Sequence, residues 1–358
     1  MYPVSQPSLS EVERNLLLEA FDSTRISSGP MVKRFEEDFA KRLMVKHAVA
    51  CTSGTTSLHL ALLALGIGPN DEVIVPDLTY VASANAVVYT GARPVFVDID
   101  PKTFTLDVRL TANAITERTR AIMPVHLYGQ ACDLTSLQKL ARWRKLALIE
   151  DAAEALGGAW HGQALGTLGD IGCFSFFGNK VITTGEGGMA VTHDDTLAAR
   201  LRHLREMATD PNRRYFHNGL GFNYRMTDLQ AAIGVGQLAR ADELIAKRRA
   251  VCERYASILC YHVFVPSGTP PVTPAPWLFT VELPERFSRD RVAALLATRG
   301  IETRPTFVPM HEMFGCPDWD DFPISDRVSR QGLSLPTYPD LSMEDVDFIS
   351  REFLECLK

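Results

Sequence analysis

No stretch of this chain is apolar over the roughly 18 residues that a membrane-crossing helix needs. The longest apolar run, around Leu58 to Leu65, is already interrupted by His59, so a membrane-embedded protein is not expected. Cysteine is scarce and scattered. Cys51, Cys132, Cys173, Cys252, Cys260, Cys316 and Cys356 are odd in number and include no C-x-x-C pair. That usage speaks against a disulfide framework and against a zinc or iron–sulfur site, so no metal is expected. Positive charge is also in short supply, with 37 Lys plus Arg against 43 Asp plus Glu and a net charge of −6. A nucleic-acid partner therefore has no electrostatic basis. Both glycine-rich nucleotide motifs are missing: Gly66-x-Gly68 runs on to Asp71 where a third glycine should stand, and no Gly-Lys dipeptide offers a P-loop. The opening MYPVSQPSLSEVERN has no basic start followed by an apolar core, and a cytoplasmic location is expected.

What the chain does contain is globular. Its 358 residues are 46% hydrophobic and 22% charged, enough for one large domain and a smaller one. From Glu72 to about Val191 short Val/Ile-rich runs alternate with longer helical stretches, the pattern of an α/β sheet. EVIVP (72–76), RPVFVD (93–98), AIMPVH (121–126) and LALIED (146–151) lack strict alternation, as strands covered on both faces should. They are expected to be central and parallel. IGCFSFF (171–177) and GGMAVTH (187–193) are too close for a crossover helix and are expected to pair as a hairpin, making the sheet mixed. Thr227 to Val251 reads as one long helix that bridges the domains, opened by Thr227 and Asp228. A proline-dense loop (266–277), a strand WLFTVEL, a helix RDRVAALLATRG and a last helix from about Ser342 then form the smaller part. The region from Pro305 to Pro339 reads as loop-rich, a lid or substrate wall.

Three features carry chemistry. Ser53-Gly54-Thr55-Thr56-Ser57 precedes the helical run LHLALLAL, and hydroxyls with a glycine at a helix start suit a phosphate dianion. The same residues also serve as a plain helix cap. Asp151 closes the strand LALIED, where α/β proteins place their ligands, and can equally cap the segment that follows. Ser175 and Lys180 follow within FSFFGNKVITTGEGG, the lysine flanked by glycine, asparagine and apolar residues. Phosphate cup, strand-tip carboxylate, hydroxyl and lysine, in that order, are what pyridoxal phosphate requires.

At these residues the chain resembles the DegT/DnrJ/EryC1/StrS family of pyridoxal-phosphate sugar aminotransferases. The likeness runs through SGTTSLHLALLALGIGPNDEVIVPDLTYVASANAV, PVFVDID, IMPVHLYGQACD, IEDAAEALG, FSFFGNKVITTGEGGM, DPNRRY, GFNYRMTDLQAAIG and PTFVPMH. It implies a fold type I arrangement, similar to aspartate aminotransferase: a large cofactor domain over residues 1–247 and a small α+β domain over 248–358. It implies pyridoxal 5'-phosphate as cofactor, Lys180 as Schiff-base amine and proton shuttle, and Asp151 as partner of the ring nitrogen. Glu154, where many relatives carry glutamine, would lie near the ring hydroxyl, and Tyr80 would stack on the ring. Gly54, Thr55, Thr56 and Ser175 would bind the phosphate, joined by Asn223 from the partner subunit of a homodimer.

On the substrate side the resemblance implies His311 and the segment 22–30, with Arg25 and Ser27. Arg25 stands where close relatives usually show tryptophan, a change that bears on the acceptor. Arg225 and Arg304 are candidates for the donor carboxylate. The implied reaction moves an amino group from L-glutamate to C4 of a nucleotide-linked 4-keto-6-deoxy sugar, first GDP-4-keto-6-deoxy-D-mannose. UDP- or dTDP-linked keto sugars and keto-cyclitols are alternatives, as is a pyridoxal-phosphate-binding regulator without turnover. Assembly of a lipopolysaccharide O-antigen would use this chemistry.

Overall fold

The computed structural model describes residues 1–268, 272–315 and 321–358; Cys316 and part of the proline-dense loop lie outside them. In chain order the strands are β1 (His47–Cys51), β2 (Glu72–Pro76), β3 (Arg93–Val97), β4 (Thr119–Ile122), β5 (Ala147–Asp151), β6 (Ala159–Trp160) and β7 (Gln163–Ala164). They continue as β8 (Ile171–Ser175), β9 (Gly188–Thr192), β10 (Val272–Thr273), β11 (Phe279–Glu282), β12 (Arg304–Pro305) and β13 (Gly332–Leu335).

Seven of them form the main sheet in the order β1-β9-β8-β5-β4-β2-β3. The pairs from β3 through β2, β4 and β5 to β8 are parallel. β2 is buried along its whole length, which explains why its sequence shows no alternation. β8 and β9 pair antiparallel, Gly172 opposite Val191 and Ser175 opposite Gly188, so the hairpin expected at 171–193 is present. β1, which the sequence did not announce, pairs antiparallel with β9 and makes the far edge. One apolar core fills the face that includes Phe35, Phe39, Phe174 and Phe176, and a second fills the face covered by the helix Gly54–Ala64.

The expected helix from Thr227 to Val251 is two helices, Asp228–Ala239 and Ala241–Leu259. They divide at Arg240, whose backbone leaves the helical region at φ −102° and ψ 4°. Its guanidinium reaches Glu13 at 3.0 Å. Gly236 lets the first helix approach that same glutamate: a Cβ there would come within 2.9 Å of Glu13 Cγ. The second helix carries Val251, Tyr255 and Leu259 into a separate core beside β11, β13 and the helix Met343–Glu355. The expected boundary between residues 247 and 248 falls inside this helix. β11, β13 and β12 form a small antiparallel sheet. The described residues between Pro305 and Pro339 are more regular than the expected loop-rich region, since they hold the helices Met310–Phe314 and Pro323–Gln331 as well as β13.

Candidate active site

At the C-terminal ends of the parallel strands, where open α/β sheets bind ligands, lies a cavity of about 420 Å³. Its wall is made first by the start of the helix Gly54–Ala64. Ser53 caps that helix, its hydroxyl accepting from the Thr56 N–H at 3.2 Å, while the Thr56 hydroxyl accepts from the Ser53 N–H at 3.0 Å. A helix leaves its first N–H groups without partners inside the helix. Ser53 answers only one of them, and Gly54 and Thr55 line the cavity. Two glycines allow this closeness: a Cβ on Gly54 would come within 2.8 Å of the Ser175 Cβ, and one on Gly188 within 2.1 Å of the Ser53 carbonyl oxygen. Ser175, at the end of β8, therefore lies against the helix start.

Asp151 ends β5 and is buried. One carboxylate oxygen accepts from the Ser83 hydroxyl at 2.7 Å and the other from the Ala153 N–H at 3.1 Å. Burial raises its proton affinity, against those hydrogen bonds and the nearby charge of Lys180. Glu154 accepts from the Tyr128 N–H at 2.8 Å and stands 3.5 Å from Lys180 Nζ. Burial pushes its carboxyl up to about 7. The Lys180 ammonium lies 4.0 Å from the centre of the Trp277 ring. Burial pulls its pKa below the usual lysine value, and the carboxylates of Glu154 and Asp151 only partly oppose this. Trp277 is fixed from behind by a hydrogen bond to the Asn179 carbonyl at 3.1 Å and by stacking on Tyr128.

The structure thus brings Gly54, Thr55, Tyr80, Asp151, Glu154, Ser175, Lys180 and Arg304 around one space. Tyr80 is 56% exposed and lies 5.5 Å from the ring of Phe307 across the opening. Thr56 stands behind the wall, its hydroxyl engaged by Ser53. Arg25, Ser27, Asn223, Arg225 and His311 do not line this cavity among the described residues. Asn223 and Arg225 bind each other at 3.1 Å on an exposed segment. His311 is held by Asp77 at 2.8 Å and stacked on Phe322. Ser83, Trp277 and Phe307 were missed by sequence reasoning. Ser83 sits inside the apolar helix Ala82–Tyr89, and only its contact with Asp151 reveals its use.

The donor set fits pyridoxal phosphate: a helix start with hydroxyls for the phosphate, a buried carboxylate of raised proton affinity for the ring nitrogen, and a lysine of lowered basicity in the same cavity. Such an arrangement defines a cofactor-dependent enzyme acting on amines, and comparison with known proteins agrees. The chain belongs to the DegT/DnrJ/EryC1/StrS aminotransferase family, whose model matches residues 7–353. It is 51% identical to the GDP-perosamine synthase of Caulobacter vibrioides over 96% of this chain and 95% of that one. It is 44% identical to the GDP-perosamine synthase of Escherichia coli O157:H7, covering 99% and 98%. The crystal structure of S. venezuelae DesV in complex with a ketimine intermediate superposes with a TM-score of 0.90 at 38% identity, covering 96% and 93%. The fold is that of a pyridoxal-phosphate aminotransferase, and pyridoxal 5'-phosphate is the cofactor.

Proposed function

We propose that the protein transfers the amino group of L-glutamate to C4 of a nucleotide-linked 4-keto-6-deoxy sugar, with GDP-4-keto-6-deoxy-D-mannose as the acceptor. The observation that carries the chemistry is the meeting of Lys180, Asp151 and Glu154 with the helix start at 53–55 in one cavity. The choice of a GDP sugar is supported by relatives named GDP-perosamine synthase at 51% and 44% identity.

Pyridoxal phosphate supplies an electron sink for the pair left when a proton departs from the substrate carbon. The protein's own groups do the rest. Gly54, Thr55 and Ser175 bind the phosphate, with Thr56 holding Ser53 in place. Asp151 keeps the ring nitrogen protonated, a role suited to a buried carboxylate that gains by acquiring a cation. Lys180 holds the cofactor and then carries the proton to and from the substrate carbon, for which its lowered basicity is suitable. Glu154, 3.5 Å from that lysine, would lie near the ring hydroxyl, and Tyr80 would cover the ring. L-Glutamate leaves as 2-oxoglutarate before the keto sugar accepts the amine.

The active unit in this reading is a homodimer in the cytoplasm. Asn223 is exposed and outside its own chain's cavity, and it serves the phosphate of the partner's site. Support comes from Tyr215 and Leu220 close by in sequence, 81% and 79% exposed, which a second copy would cover. Arg25, Ser27, Arg225 and His311 face the sugar nucleotide. No helix among the described residues is long and apolar enough to cross a membrane.

The test is an absorbance spectrum of the loaded protein, first alone, then with L-glutamate, then with the GDP keto sugar, with mass analysis of the sugar nucleotide. Glutamate should change the spectrum, and the GDP sugar should restore it and appear as an amino sugar. A spectrum that glutamate changes but this sugar does not restore would reject the acceptor and point to Arg25. No response to glutamate would reject the whole reading.

A further inference from the structure

The cavity holds two cations, Lys180, which holds the cofactor in the reading above, and Arg304, one of the two arginines that the sequence left as candidates for the donor carboxylate. Arg304 lies on β12, where pairing with Ser334 on β13 fixes its backbone. The Arg327 guanidinium, by contrast, is 2.7 Å from Glu282, and that of Arg225 is bound to Asn223 and stands 3.5 Å from Glu206. The Arg304 guanidinium makes no hydrogen bond or ion pair among the described residues, although it is half-buried in a cavity that also holds Asp151, Glu154 and Glu186. Its charge reaches Lys180, whose proton it disfavours, and the Tyr128 hydroxyl. An unpaired guanidinium in a partly desolvated pocket is a receptor for a carboxylate or a phosphate, because its planar fork matches two oxygens at once.

We infer that Arg304 binds a carboxylate of the amino donor and so selects a small amino dicarboxylate for the first half of the reaction. The inference rests on the aminotransferase reading above. It favours a carboxylate over the sugar diphosphate for a geometric reason. The donor's amine must reach the place of the lysine amine, and its α-carboxylate is attached to the same carbon. Arg304 lines that same cavity. A sugar nucleotide reacting at C4 carries its diphosphate on the far side of the sugar ring. Arg225, bound to Asn223 and Glu206 outside the cavity, is the weaker candidate in its own chain.

The test compares Arg304→Gln and Arg304→Lys with the parent protein. The half-reaction of the loaded enzyme with L-glutamate is followed against concentration, and so is the reverse half-reaction with the GDP amino sugar. Binding of glutarate, an unreactive dicarboxylate, is measured by calorimetry. Arg304→Gln should raise the half-saturating glutamate concentration by about 10-fold or more, as loss of a charge-assisted pair does. The accompanying loss with the amino sugar should be at least about tenfold smaller, and Arg304→Lys should recover part of the glutamate effect. Glutarate should bind the parent and not the glutamine variant. Equal losses in both half-reactions, a loss confined to the sugar, or glutarate binding unaffected by the substitution would each overturn the inference. A parent protein that binds glutarate through Arg304 yet does not react with glutamate would overturn the reaction and leave the carboxylate site standing.

Discussion

Glu150 and Glu154 flank the end of β5, both buried, yet they meet opposite surroundings. Glu150 accepts from the N–H groups of Gly166 at 2.8 Å and of Leu168 and Gly169 at 2.6 Å, and His126 Nε2 lies 2.9 Å away. Its lone pairs are occupied, and it ties β5 to the turn before β8. Glu154 has one backbone donor, Tyr128, and a lysine at 3.5 Å, and burial holds its carboxyl near 7. The number of donors separates a carboxylate that fastens the scaffold from one left free to exchange charge with Lys180. A buried polar group is costly until it is satisfied, so a deliberately under-satisfied one marks the place where a ligand completes the set.

The largest effect is expected at the lysine itself. Lys180→Ala should lower 2-oxoglutarate formation by about 10³-fold or more, the scale of a lost positioned acid–base group, while circular dichroism shows an intact fold. Substantial aminotransfer by this variant would end the assignment of Lys180. On the scaffold side, Glu150→Gln places an amide donor against N–H groups and leaves His126 facing the wrong partner. A loss of about 3–5 kcal/mol in urea unfolding is expected, as when one member of a buried pair is removed. A loss below about 1 kcal/mol would mean that Glu150 is no more than another buried polar side chain.

Glu154 gives the contrasting result. Its folded pKa of about 7 lies above the ordinary 4.5, so the folded protein holds a proton that the unfolded chain has released. Stability of the cofactor-free protein must then fall as pH rises from the ordinary value through the raised one, and level off above it. Glu154→Gln should remove that residue's share of the decline, leaving only what the raised proton affinity of Asp151 adds, and make the variant up to about 3 kcal/mol more stable than the parent at pH 8 and little different at pH 4. Parallel stability curves across this range would show that Glu154 is no less satisfied than Glu150.

Much of this was legible in the chain. EVIVP matches β2 and LALIED overran β5 by a residue, because buried parallel strands need continuous apolar residues. RPVFVD, expected to be central, is instead the edge strand β3 and is only partly buried, since no further strand among the described residues pairs beyond it. The order of Asp151, Ser175 and Lys180 predicted a common space, and those side chains line one cavity. β1 was not legible: HAVAC is short and becomes a strand only through β9, far away in sequence. The break at Arg240 was hidden inside a continuous helical pattern, since its partner Glu13 lies near the other end of the chain. Ser83 and Trp277 escaped notice for the same reason, as each gains its meaning from a contact that no local spacing encodes. Arg25, Ser27 and His311 were expected from resemblance alone, and within one chain they do not line the cavity.

Asp151 lies between the two extremes, and it yields the finest test of the comparison. It has two donors, Ser83 and Ala153, and its proton affinity is still raised. Ser83, itself 3.1 Å from the Thr79 hydroxyl, restricts the carboxylate to one orientation and favours its charged form. Ser83→Ala should leave Asp151 in place but more readily protonated, and a neutral acid holds a protonated ring nitrogen less well. A hydrogen bond to a charged group is worth about 1.5–3 kcal/mol, so pyridoxal phosphate should dissociate at least about tenfold more readily from this variant, measured by equilibrium dialysis. Ser83→Thr, which keeps the hydroxyl, should recover most of the affinity. If Ser83→Ala binds the cofactor as the parent does, the single remaining donor, the Ala153 N–H, is enough for Asp151, and the number of donors does not separate Glu150 from Glu154.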